Sequence, residues 1–297
     1  MKKVIIWGYK LYSHTHSYVH NGYFKAFKKM GFDTYWFDDK DDVSNFNFEN
    51  SIFLTIGTQE NKIPLNKSSF YILHHIKNME KYISTGVNYI NLGNYLSGCD
   101  IGISVNHPEN NVTKMEGECC FWDEKTKTLY QPWATDLTPD EIFLDFAMKY
   151  NPNNTNINFV GTISENYNQI KTFENSLPEN ISFNLIKNKS DDENFQSIRN
   201  SLISIDIRND WHVECGYLPC RIFKNISYGR LTGTNSPNVK KIFGDYVIFE
   251  PNLNELYIRM IEEEKKVSIE HLKKSISYVK NNHTYINRIN NILKFIM

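Results

Sequence analysis

Short apolar runs separated by helical or loop segments recur along the whole chain, and this alternation constrains the fold more than any other feature. Val4–Gly8 is one such run ending in glycine, and Asp33–Asp39 is a second with an acidic end. Between them Phe24, Phe27 and Met30 fall at helical spacing before Gly31, which predicts a strand, a loop, a helix and a strand. Further runs at Ser51–Ile56, Phe70–Leu73, Val87–Ile90 and Ile101–Val105 predict more strands of a parallel sheet. From Glu118 to Thr135 the pattern becomes that of a hairpin turning at Asp123–Lys127, after which Pro139-Asp140-Glu141 opens a helix reaching about Tyr150.

A second series mirrors the first. Ile157–Ile163 is a strand ending in Gly161-Thr162, a helix runs from about Asn166 to Leu177, and ISFNLI is a strand. DDENFQSIRNS is a helix, and Leu202–Ile207 is a strand that delivers Arg208 to a loop. YVIFEP is the last strand, a helix follows from Asn254, and Val267–Met297 is a long helical tail. The run NPNNTN (Asn151–Asn156) is the most linker-like stretch, so the expected architecture is α/β with two Rossmann-like domains, 1–150 and 151–297. Ligands of such sheets bind beyond the carboxyl ends of the strands, which places the loop after Gly8, the Gly161 turn and the Arg208 loop on a shared cleft.

Composition excludes several classes. Lys+Arg 33 against Asp+Glu 34, a formal net charge of -1, leaves no electrostatic footprint for nucleic acid. No run approaches the length of a membrane span, and MKKVIIWGYK reads as a first strand instead of a signal peptide. The five cysteines, with Cys119 and Cys120 adjacent, form neither a disulfide framework nor a zinc-ligand spacing, which fits a reducing cytoplasm.

The stretch Glu214–Phe243 is hard to explain by packing alone. Pro219 opens a helix, Gly229 stops it, a short strand follows, and Asn235-Ser236-Pro237 opens another helix. A polar loop feeding a helix start presents unpaired N–H groups that suit a phosphate. Arg221 stands in the first turn, where a cation opposes the helix dipole and calls for a compensating anion.

The run CRIFKNISYGRLTGTN resembles the donor-site helix of GT-B glycosyltransferases. Arg221 matches the basic position, Ile222 and Phe223 the apolar pair, and Gly229 the glycine before the strand. Asn235-Ser236-Pro237 with Val239 is similar to the turn of fucosyltransferase-type members, and FVGTI resembles the strand and turn that open their nucleotide-binding half. The acids these families use are displaced: Gly216 and Lys224 stand at the retaining pair, Cys220 stands where the fucosyltransferase-type pattern has Glu, and Glu214 is two residues out of register. The resemblance implies a GT-B-like glycosyltransferase that takes a UDP- or GDP-type nucleotide sugar to a hydroxyl acceptor such as a glycan, with no cofactor and no obligatory metal. It leaves sugar, nucleotide and stereochemical outcome open, inversion being favoured.

In this reading Arg221 and Arg208 neutralise the leaving diphosphate. Gly161, Thr162, Glu214, Tyr217, Lys224, Asn235 and Ser236 complete the donor side. The loop SHTHSYVH supplies His16 as general base, with His14, His20 and Trp133 on the acceptor side. Each has a plainer alternative: a salt bridge from Arg208 to Asp206 or Asp210, helix capping at Asn235 and Ser236, and packing of the histidines against the tyrosine-rich loop. The three histidines lack the supporting ligands of a metal site, Asp39-Lys40-Asp41 reads as solvated turn charge, and the loop after strand one lacks the glycines of a dinucleotide fold. A catalytically inactive nucleotide- or sugar-binding module on the same fold is the alternative function.

Overall fold

The computed structural model describes residues 2–10, 15–56, 61–74, 79–93, 112–115 and 120–296. Two compact units emerge, Met1–Pro132 with Tyr285–Met297, and Trp133–Thr284. The division therefore falls ahead of Asn151–Asn156. That run is turn chemistry within the second unit: Asn151 Oδ1 accepts from Asn153 N, Asn154 Oδ1 accepts from Asn156 N, and Asn154 Nδ2 donates to Asn200 O.

In the first unit β1 (Lys3–Trp7), α1 (Thr15–Lys29), β2 (Asp33–Phe37), β3 (Ser51–Ile56), β4 (Phe70–His74), α2 (Glu80–Thr85) and β5 (Asn88–Gly93) are followed by β6 (Val112–Lys114), β7 (Phe121–Asp123) and β8 (Thr128–Tyr130). They form an eight-stranded sheet in the order β2-β1-β3-β4-β5-β8-β7-β6. Pairing is parallel from β2 through β8 and antiparallel across β8, β7 and β6. Val4 to Trp7 are wholly buried, as an apolar run covered on both faces requires. Ile5 and Trp7 pack with Phe53, Tyr71, Leu73 and Tyr82. The run Ile101–Val105 lies outside the described residues.

The acids after β2 are structural, not merely solvated. Asp39 accepts the Trp7 indole N–H at 2.9 Å and the backbone N–H of Asn61 and Lys62, while Asp41 pairs with Lys10 at 2.6 Å.

The second unit runs β9 (Asn156–Val160), α3 (Tyr167–Asn175), β10 (Ser182–Ile186), α4 (Asp191–Arg199), β11 (Ser204–Asp206), α5 (Asp210–Glu214), α6 (Cys220–Ser227), β12 (Thr232–Thr234), α7 (Pro237–Phe243), β13 (Val247–Phe249), α8 (Leu253–Lys266) and α9 (Ile269–Asn282). β9 pairs with β10 and β12 lies between β11 and β13, all parallel. Leu202 N donates to Asn156 O at 2.6 Å and Asn158 N to Ser201 Oγ at 2.9 Å, tying β9 to the approach of β11. Ile157, Phe159, Ile170, Phe173, Ile205 and Leu256 sit in one buried cluster.

The helix expected up to Tyr150 is replaced by a single 3-10 turn at Leu144–Phe146. Its backbone groups are taken by neighbours: Arg199 Nη1 donates to Phe146 O at 2.7 Å, and Met148 N donates to Gly229 O at 3.2 Å. Phe143 and Leu144 stay exposed, so no apolar stripe holds a helix.

The expected helical tail is likewise broken, because Thr135 N takes the His283 carbonyl and Thr135 bridges Thr284. A separate last helix, α10 (Tyr285–Leu293), belongs to the first unit and packs on α1. Tyr285 fills the notch at Gly22, where any Cβ would overlap its ring, and its ring lies tilted 4.5 Å from that of Tyr23. Arg288 Nε donates to Pro132 O at 2.9 Å.

Candidate functional site

The carboxyl ends of β9, β11 and β12 deliver Gly161, Asp206 to Arg208, and Asn235-Ser236 respectively. Successive strand residues alternate between faces, so Asp206 and Arg208 project to the same side. Asn235 fixes the Arg208 backbone from both directions: its Oδ1 accepts from Arg208 N and its Nδ2 donates to Arg208 O, each at 2.8 Å.

Asp206 is completely buried and Arg208 nearly so. Arg208 Nε donates to Asp206 Oδ1 at 2.9 Å, and its Nη2 reaches the same oxygen. Arg221, on the first turn of α6, also reaches that oxygen through Nη1 at 3.3 Å, while its Nε donates to Val160 O at 3.0 Å. Its guanidinium sits over Phe159, with Cζ 4.0 Å from the ring centre. Gly161 (φ +132) makes this approach possible, since a Cβ there would overlap the Arg221 guanidinium.

Two cations therefore face one carboxylate. Among the described residues neither Arg208 Nη1 nor Arg221 Nη2 makes a hydrogen bond. Burial, reinforced by the charge of Arg208, holds the Arg221 guanidinium below its usual range, against the pull of Asp206. An anion here would relieve the penalty that depresses it. Asp206 Oδ2 and Ser236 Oγ are buried without a hydrogen-bond partner among the described residues.

Beside the arginines, Asn209 caps α5 by accepting from His212 N at 2.7 Å. His212 is buried with Nδ1 at 3.2 Å from Asn166 Oδ1 and Nε2 at 3.2 Å from Glu165 Oε2. Both oxygens accept, which favours a doubly protonated ring, but burial and then Arg208 lower its pKa more than Glu165 and Asp206 raise it. The Glu165 side chain is 72% exposed, so its pull is screened by water. Tyr217 lies 4.7 Å from the His212 ring and 5.7 Å from Arg208 Cζ, and burial pushes its hydroxyl up to about 12. Trp133 donates its indole N–H to Tyr217 at 3.2 Å.

Gly161, Arg208, Tyr217, Arg221 and Asn235 thus come together, and Trp133 joins them on the second unit. Thr162 and Glu214 are exposed, and Glu214 ends α5. Lys224 is elsewhere: its Nζ pairs with Asp136 at 2.9 Å, whose carboxylate also accepts the Tyr228 hydroxyl. Burial works against the Lys224 charge, but Asp136 more than offsets it and the pKa is raised. Ser236 precedes α7 without capping it.

On the first unit His16 and His20 lie in α1 and not in a loop. His20 is buried with Nδ1 2.8 Å from Gly8 O, which accepts the hydrogen bond and fixes the ring. His16 sits 5.8 Å from Tyr9 and 6.1 Å from His74, ring to ring. His14 lies outside the described residues. Among the described residues no group of three or more His, Cys, Asp or Glu side chains could hold a metal ion, and no helix is long and apolar enough to cross a membrane.

A cavity of about 600 Å³ in the second unit, lined by Val247, Phe249, Arg259 and His271 among others, contains none of the predicted residues. Its cations are largely paired, Lys240 with Asp245 and Arg259 with Glu263, so volume and chemistry do not coincide here.

Sequence reasoning missed Asp206 as a hub, together with Asn166 and His212. The signal for Asp206 was its position two residues before Arg208 at a strand end. No protein-family model matches the chain, and no curated protein matches it either.

Proposed function

We propose that the protein is a glycosyltransferase, transferring a sugar from a nucleoside diphosphate sugar to an acceptor hydroxyl. The observation that carries this reading is the pair of guanidiniums on Asp206, each with an Nη that makes no hydrogen bond among the described residues, one more positive charge than the carboxylate cancels, at the strand ends beside Gly161. Free guanidinium N–H groups suit the oxygens of a diphosphate, whose negative charge grows as the glycosidic bond breaks. Two parallel sheet regions, five strands in the order β2-β1-β3-β4-β5 and the strands β9 to β13, support a pair of Rossmann-like domains of the GT-B kind. His16 takes the part of general base, its ring lying 5.8 Å from Tyr9, just past the carboxyl end of β1, and 6.1 Å from His74 at the end of β4.

The test is a thermal-shift screen across UDP, GDP, CMP and dTDP, followed by consumption of the matching nucleotide sugar. At least one diphosphate should raise the melting temperature, and Arg221→Ala or Arg208→Ala should abolish the rise. His16→Ala should stop transfer while leaving that rise intact; near-normal activity in this variant removes the base assignment. Stabilisation without any donor consumption would favour the inactive binding module over the enzyme.

A further inference from the structure

We infer that Asp206 is the positioning residue of the diphosphate site: it presets the separation of two guanidiniums so that they grip a diphosphate and discriminate against a monophosphate. The inference rests on the donor-site reading given above and adds a residue and a selectivity to it.

Electrostatics alone makes Asp206 a liability at an anion site, since it removes positive charge where a phosphate must bind. Its geometry offers the reason for its presence. One oxygen, Oδ1, accepts from Arg208 Nε and Nη2 and from Arg221 Nη1, so a single atom sets where both planar groups lie. Each arginine has a second anchor, at the backbone for Arg208 and at the guanidinium for Arg221. Arg208 is held through its backbone by Asn235, and Arg221 through Nε on Val160 O and by Phe159 beneath it. The tips left over, Arg208 Nη1 and Arg221 Nη2, are those that make no hydrogen bond among the described residues.

A planar guanidinium loses less freedom per bond formed when its orientation is already fixed. Two fixed groups on a common pivot present donors in a set arrangement, which offers partners to the oxygens of two linked phosphoryl groups and fewer to those of one. Full burial of Asp206 keeps water from competing for Oδ1 and makes the pivot stiff.

The experiment measures affinity for GDP against GMP, and UDP against UMP, by titration calorimetry on the full chain. The wild type should prefer the diphosphate of the matching base. Asp206→Asn keeps the shape and adds net positive charge, so a mere charge-compensation role predicts tighter diphosphate binding. Positioning predicts the opposite, a loss of about tenfold, the worth of one charge-assisted hydrogen bond, with the diphosphate-to-monophosphate ratio collapsing towards unity. Asp206→Glu keeps the charge but moves the pivot by one methylene, and should lower the same ratio. It provides the readout if Asp206→Asn does not fold, which circular dichroism reports. Equal or tighter diphosphate binding with an unchanged ratio in a folded variant overturns the inference while leaving the donor-site reading standing. Failure of the wild type to bind any nucleoside diphosphate overturns both.

Discussion

The second unit contains two buried aspartates that each meet cations, and they are finished differently. Asp136 is closed: both oxygens accept the Tyr228 hydroxyl, at 2.7 and 2.8 Å, and Oδ2 holds Lys224. Asp206 crowds two guanidiniums on one oxygen, and among the described residues its other oxygen has no partner and each arginine keeps a tip that makes no hydrogen bond. A closed cluster spends its charge on the fold, whereas an open one retains hydrogen-bonding capacity for something that arrives later. Lys224 and Arg221 stand three residues apart on one short helix, yet each belongs to a different one of these clusters.

The largest effect should come from breaking the closed cluster. Asp136→Asn should cost about 3–5 kcal/mol of stability in urea unfolding, because the buried Lys224 charge then faces a neutral amide in place of the carboxylate. Diphosphate affinity of the folded fraction should be unchanged; a joint loss of stability and affinity would erase the distinction between the clusters.

Glu264, buried against Arg230 at 3.4 Å, provides a third case with a pH signature. Burial raises its carboxyl from 4.5 to about 7, Arg230 opposing. The folded state thus binds the extra proton between these values, so stability should fall as pH rises through that window, by about 3 kcal/mol in total. Glu264→Gln should flatten the corresponding part of a pH series of unfolding curves; an unaltered slope would show that Glu264 does not titrate there.

Opening the other cluster acts on ligand, not fold. Arg221→Ala should weaken nucleoside diphosphate binding by about ten- to hundredfold by calorimetry, with a smaller change in stability than Asp136→Asn. Glu214→Ala should be the quietest, within about 0.5 kcal/mol in stability, since its side chain is exposed at the end of α5. A measurable loss of affinity in that variant would return Glu214 to the donor site.

Much of this arrangement was legible. The apolar run at Ser51–Ile56 is β3 to the residue, Pro219 and Gly229 bracket α6, and Gly161 does approach Arg221. Where local rules failed, a distant partner had decided the outcome. Helical spacing places Lys224 with Arg221, but a long flexible side chain follows its counter-ion, and Asp136 lies elsewhere in the unit. The segment before Tyr150 has a helix-start signal, yet Arg199 claims the carbonyl that a helix would have used. The histidines looked loop-borne because Ser and Thr interrupt the apolar pattern, although α1 begins at Thr15.

The placement of α10 bears on how the protein is made. The helix whose Tyr285 plugs the Gly22 notch is encoded after the whole of the second unit, although it completes the first. During synthesis the large sheet emerges early but waits, one side of α1 uncovered, until α10 has followed the second unit. The later-encoded unit is contiguous and can fold as soon as it clears the ribosome. The order of completion is therefore the reverse of the order of emergence.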